Sequence, residues 1–159
     1  EPGSGGSTEI VGRTKGIEHN EFLRGHLLLE EFRLTLQVKL VPNEANGGLQ
    51  FRSEALPGGE MRGPQADIGA GWWGKLYEEN GRGLLWDKSG EPYITPGEWN
   101  TYEVIAVGSR IRTSINGHLC VDLDDPAGRR RGIIAFQIHS GGSTEVRFKD
   151  LKLELNPKL

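Results

Sequence analysis

Residues 32–40, Phe32-Arg33-Leu34-Thr35-Leu36-Gln37-Val38-Lys39-Leu40, alternate apolar and polar side chains without a break. Successive residues of a strand point to opposite faces, so this stretch reads as a half-buried β-strand with one face for a core and one for water. The same period extends outward in both directions along the chain. Val41-Pro42-Asn43-Glu44-Ala45-Asn46-Gly47-Gly48 reads as a turn, and Leu49-Gln50-Phe51-Arg52 alternates again. Tyr102 to Val107 is a further strand entered through Pro96-Gly97-Glu98-Trp99-Asn100, and Gly108-Ser109 turns it into Arg110 to Ile115. Asn116-Gly117 is the strongest hairpin signal, because both residues tolerate the positive φ of a type I′ turn; Leu119 to Leu123 is the return strand. Ile133 to Ile138 and Glu145 to Leu155 supply the last long strands, and Glu18 to Glu31 reads as a loop with a strand entry. No segment sustains a 3.6-residue period. Many short strands separated by turn signals predict an all-β antiparallel sandwich or barrel.

The chain has 159 residues, enough for one domain, and its 35% hydrophobic and 26% charged residues fit a globular fold rather than a disordered one. Residues 1–8, EPGSGGST, read as a flexible linker or added residues, leaving 9–159 as a single β-sandwich domain. A formal charge of −3 argues against a nucleic-acid partner, which selects a basic face, and Arg129-Arg130-Arg131 reads as a solvated turn. No stretch approaches a membrane span, so no membrane insertion is expected. The single cysteine, Cys120, forms no internal disulfide and reads as a small buried hydrophobe in a strand. No His/Cys spacing suggests zinc, and no phosphate loop or nucleophile elbow is present; no metal and no cofactor are expected. Asp122, Asp124 and Asp125 crowd one turn, which reads as a solvated acidic turn rather than a calcium loop.

Several phrases occur in an order that resembles the 3-keto-disaccharide hydrolase family (DUF1080): IVGRTKG from Ile10, HNEFLRG from His19, NGGLQFRS from Asn46, GPQADIGAGWWGKLYEENGRGLL from Gly63, PGEWN from Pro96, INGH from Ile115 and IIAFQIHSGGSTEVRFKDLKLEL from Ile133. The resemblance covers about residues 9 to 155. It implies a concanavalin A-like jelly roll of two packed antiparallel sheets with a ligand on the concave face of one. It implies an activity that cleaves the glycosidic bond of a 3-keto-glycoside, a carbohydrate partner, and a secreted or periplasmic location. Members carry further strands ahead of the equivalent of Ile10, and many carry an acidic residue at the position of Gln65. Both departures favour the alternative of a non-catalytic carbohydrate-binding module.

The strand periods nominate the site. If Phe51 points into the core, Gln50 and Arg52 share the opposite face; Gln65 and Asp67 lie opposite Ala66 and Ile68, and Gln137 lies with His139. Polar groups on one face of three strands read either as a sugar groove or as a solvated sheet. Paired Trp72 and Trp73 in a glycine-rich loop suggest a stacking platform for a sugar ring, with one of the two capping the core instead. Tyr77, Glu78, Glu79 and Arg82 belong either to the groove's rim or to a solvated hairpin tip. A ketone at ring carbon 3 acidifies the proton on carbon 2, so the chemistry needs a base, a partner for the enolate oxygen and an acid for the leaving group. The candidates are Asp67 or His139 as base, Arg52 as oxyanion partner, and Glu79 or Glu78 as acid. A laminin-G-like protein-interaction domain is a third reading; it predicts an apolar exposed patch and calcium dependence.

Overall fold

The computed structural model describes residues 1–2 and 8–159, and residues 3–7 of the expected linker lie outside the described residues. Twelve strands follow one another: β1 (Ile10–Thr14), β2 (Glu21–Arg24), β3 (Phe32–Val41), β4 (Asn46–Ala55), β5 (Met61–Gly69), β6 (Leu76–Glu79), β7 (Gly83–Trp86), β8 (Asn100–Val107), β9 (Arg110–Ile115), β10 (His118–Asp124), β11 (Ile133–Ile138) and β12 (Thr144–Leu155). They form two six-stranded sheets, ordered β1-β12-β3-β8-β9-β10 and β2-β11-β4-β5-β6-β7. Every strand pair is antiparallel. The only helical turns among the described residues are two three-residue 3₁₀ segments. This is one of the two architectures that the strand periods allow, the antiparallel sandwich, and it is the jelly roll that the resemblance implies.

The core lies between the sheets. Phe32, Leu34, Leu36, Val38 and Leu40 of β3 are all buried, while the intervening residues are partly exposed, as the period-2 pattern demands. The opposite wall comes from Leu49, Phe51, Ala66 and Ile68, and Trp73 and Tyr102 fill the space toward one end. Burying apolar side chains of this size contributes about 1.5–3 kcal/mol each and is the main force holding the sheets together. Asn116 and Gly117 take φ values of 50° and 82° between β9 and β10, the two-residue turn expected there. Cys120 is buried in β10, and β2 is a short edge strand inside the stretch read as loop with strand entry.

Two sequence expectations change on folding. The Arg129–Arg131 run is not a freely solvated turn: Arg129 donates to the Arg52 carbonyl, and Arg130 donates to the carbonyls of Asp125, Pro126 and Gly128. The acidic turn is neutralised by its neighbours. Asp122 accepts from Arg110 and Arg112, Ser109 donates to Asp124, and Asp125 accepts a bidentate pair from Arg82.

Candidate functional site

The polar face of the second sheet is organised by glycine. Gly48 of β4 lies opposite Asp67 of β5 on one side and Gln137 of β11 on the other. A Cβ at Gly48 would stand 2.2 Å from the Gln65 side chain, so the glycine leaves the bed in which Gln65 lies across the sheet. Gln65 then connects everything around it. Its Nε2 donates to Asp67 Oδ1 (2.8 Å) and to Gln137 Oε1 (3.0 Å), and its Oε1 accepts from Gln50 Nε2 (2.9 Å). Ser53 Oγ donates to Gln50 Oε1 (2.6 Å), and Gln137 Nε2 donates to Glu79 Oε2 (3.4 Å). The amides thus form one directed chain whose donors all point toward two carboxylates, Asp67 and Glu79. Such a network is fully buried at Gln50, Gln65 and Gln137, where a missed hydrogen bond would be costly.

Above this floor opens a cleft of about 330 Å³ lined by Asn46, Gln65, Asp67, Trp72, Tyr77, Glu79 and His139. Asp67 is only 2% exposed, and its Oδ2 has no hydrogen-bond partner. Burial pushes its carboxyl up to about 7; the Gln65 hydrogen bond opposes this, the nearby Glu79 charge adds to it, and Lys75 opposes it weakly. Burial also raises Glu79, against the hydrogen bond from Gln137. The Asp67 backbone is anchored from beneath by Tyr102, whose hydroxyl donates to the Asp67 carbonyl (3.3 Å) from the other sheet. His139 sits just past β11; its amide donates to the Asn46 carbonyl and its Nδ1 lies 2.8 Å from the Ser140 carbonyl.

The two tryptophans part company. Trp72 is 38% exposed and meets Tyr77 edge-on at 6.2 Å, forming one wall of the cleft. Trp73 is buried in the core and donates from Nε1 to Asn43 Oδ1 (2.8 Å). The turn around them needs Gly69, Gly71 and Gly74 at positive φ, and adjacent side chains leave it in opposite directions. Trp73 is therefore removed from the expected sugar contacts.

Arg52 is also displaced from the groove. A bulge in β4 shifts the register between Gln50 and Glu54, and Arg52 takes φ 47° within it. The extra residue ends the alternation that placed Arg52 beside Gln50. Its guanidinium is buried against backbone instead, donating to the carbonyls of Glu30 (2.8 and 2.5 Å), Gly108 (2.8 Å) and Arg129 (3.4 Å). Glu78 and Arg82 lie off the cleft as well. Glu78 alternates away from Tyr77 and Glu79 along β6, and Arg82 pairs with it and with Asp125. Gln50 and Gln137 belong to the supporting network beneath the cleft. Asn46, inside the segment whose sequence reads as a turn, also lines the cleft; its parity with Gly48 and Gln50 is the signal that points to it. Among the described residues, no group of His, Cys, Asp and Glu is placed to hold a metal ion, and no helix is long and apolar enough to cross a membrane.

The sequence profile of the 3-keto-alpha-glucoside-1,2-lyase-like domain matches residues 4–154. A search of curated protein sequences finds no match. Among solved structures, the fold is similar to a putative glycosyl hydrolase from Parabacteroides distasonis (17% identity, TM-score 0.69, covering 94% of this chain and 81% of that one). It is similar to the carbohydrate-binding module CBM66 from Bacillus subtilis (16%, TM-score 0.66, 93% and 91%). It is also similar to a Bacillus subtilis protein of unknown function with a galectin-like fold (12%, TM-score 0.73, 95% and 83%).

Proposed function

Because the chain belongs to the 3-keto-alpha-glucoside-1,2-lyase-like domain family, we propose that its cleft binds a glycoside oxidised at ring carbon 3 and cleaves the bond at carbon 1 by elimination. The observation that carries this reading is the pair of carboxyl groups facing one cleft: Asp67, raised by burial to about 7 with an unpartnered oxygen, and Glu79, which accepts from Gln137. A buried carboxyl held near 7 is suited to carry a proton, which leaves the second carboxylate of the cleft to accept one. The roles assigned from sequence accordingly exchange. Glu79, or His139 beside it, removes the proton from carbon 2, and Asp67 delivers a proton to the departing oxygen on carbon 1. The electron pair of the broken C–H bond becomes the enolate and then the carbon 1–carbon 2 double bond, while the glycosidic bond's pair leaves with the aglycone. Subsequent addition of water across that double bond completes net hydrolysis. With Arg52 engaged elsewhere, Asn46, Tyr77 and His139 are the cleft groups left to hold the developing oxyanion. Trp72 supplies the apolar face for a pyranose ring, and a secreted or periplasmic location suits such a substrate.

A non-catalytic sugar-binding role is the second reading; the fold shared with CBM66 and the Gln65 floor favour it. Turnover of a 3-keto-glucoside, measured beside equilibrium binding, separates the two. Catalysis predicts that Asp67→Asn abolishes release of aglycone while binding survives, and that activity falls as pH rises through about 7, because Asp67 must be protonated. Trp72→Ala should weaken binding roughly ten- to hundred-fold. Binding without any turnover by the intact chain would establish the second reading, and turnover rising through pH 7 would restore Asp67 to the role of base.

A further inference from the structure

The β12 strand is paired on both sides over only part of its length. On one side β3 accompanies it from Glu145 to Leu155, across a bulge between Lys149 and Lys152. On the other side β1 covers only Thr144 to Phe148. Beyond that point no described strand joins the free edge, and the segment there is Leu151-Lys152-Leu153-Glu154-Leu155. Its leucines are 42%, 40% and 59% exposed. Leu153 and Leu155 lie opposite the buried Leu34 and Phe32, so they extend the core-facing surface of the sheet into solvent, beside exposed Leu27 and Leu28. A long edge with an apolar face is a template for another strand.

We propose that this edge pairs with a second copy of the chain, β12 against β12, antiparallel and centred on Leu153. Three features select this occupant and this register. First, the Asn156 amide donates to the Glu31 carbonyl, so in the antiparallel ladder that runs from 152 to 155 residues 152 and 154 direct their backbone groups toward β3 while 153 and 155 direct theirs to the free edge. Pairing about Leu153 sets 153 against 153, which joins the free groups of the two copies at the centre of the segment. Second, the same register places Lys152 directly opposite Glu154 of the second copy, twice, on the face away from the leucines. The five-residue segment is therefore its own electrostatic complement, as a two-fold interface requires. Third, Asn156 takes φ 52° and leaves the strand, and Arg33 donates to the Lys158 carbonyl (3.4 Å), so the tail turns away from the edge before it would meet β1 of the second copy. The result is one continuous sheet across both copies, with the exposed leucines covering each other.

The test is sedimentation velocity on the intact chain over a concentration series. The chain should form a dimer whose fraction rises with concentration. Lys152→Glu and Glu154→Lys each place like charges in opposition and should raise the dimer dissociation constant roughly tenfold or more. An equimolar mixture of the two variants should dimerise again, because each then meets its opposite, and so should the Lys152→Glu/Glu154→Lys double variant. Glu154 also pairs with Arg33 within the chain (2.6 Å), so thermal melts check that each variant remains folded. A chain that stays monomeric up to ~1 mM, a dimer unaffected by either single swap, or a mixture that stays monomeric would overturn the proposal.

Discussion

At Asp67 the fold works against its own charge. The carboxyl is 2% exposed and its raised value, about 7, means the folded state favours the protonated form. Its stabilising contribution is therefore fully present below the ordinary carboxylate value of 3.8 and is lost as pH rises through about 7. That loss amounts to roughly 2–4 kcal/mol. Asp67→Asn, which cannot ionise, should melt above the parent chain at pH 8 and close to it at pH 4; equal melting temperatures at pH 8 would mean the site relaxes to solvate the charge. A residue that weakens the fold while facing a cleft is what a chemical role would select. The buried Arg52 is the contrasting case. Its charge is distributed over backbone carbonyls of three separate loops, so it serves architecture.

At the scale of elements, the β9–β10 turn is the most local of the fold's decisions. Gly117 sits at φ 82° with open space where a Cβ would project, so the cost of a side chain there is conformational rather than steric. Gly117→Val should lower stability by about 1 kcal/mol or more in a denaturant titration, and an unchanged midpoint would contradict the turn. This turn and the β3 face were legible because each is decided by residues adjacent in sequence. Asp67, Gln65 and Gln137 were legible for the same reason, since β5 and β11 keep an unbroken period across them. Arg52 was not, because the β4 bulge is a response to two neighbouring strands and leaves no mark in the local pattern. Composition nominates Glu78 and Glu79 together, but adjacent residues of one strand point to opposite faces, so only Glu79 reaches the cleft. The Trp72–Trp73 pair falls between these cases: composition nominates both, and only the glycine turn decides which side chain goes in.

Across the whole molecule the two sheets are clipped together at one rim. Arg82, between β6 and β7, reaches Asp125 beyond β10 through two 2.7 Å hydrogen bonds and also holds Glu78. The Arg82 guanidinium keeps the Asp125 carboxyl below its ordinary range, so this contribution is present above about 4 and is lost as pH falls through the depressed value. Because Arg82 is partly exposed, Arg82→Gln should cost only about 1 kcal/mol at neutral pH, and the difference from the parent chain should shrink in acid melts. The strand order carries a consequence of another kind. In each sheet a late strand lies between two early ones: β12 between β1 and β3, β11 between β2 and β4. A ribosome delivers these strands in sequence order, so most of the chain emerges with a slot open in both sheets and with the flanks of β3 and β4 unsatisfied. Neither layer can close until residues 133–155 arrive, and pairings that span so much sequence form slowly. Synthesis therefore holds the nascent chain in a state open to strand exchange with its neighbours, and a stop codon ahead of Ile133 would leave two vacant slots in one molecule, a form prone to aggregate rather than to fold.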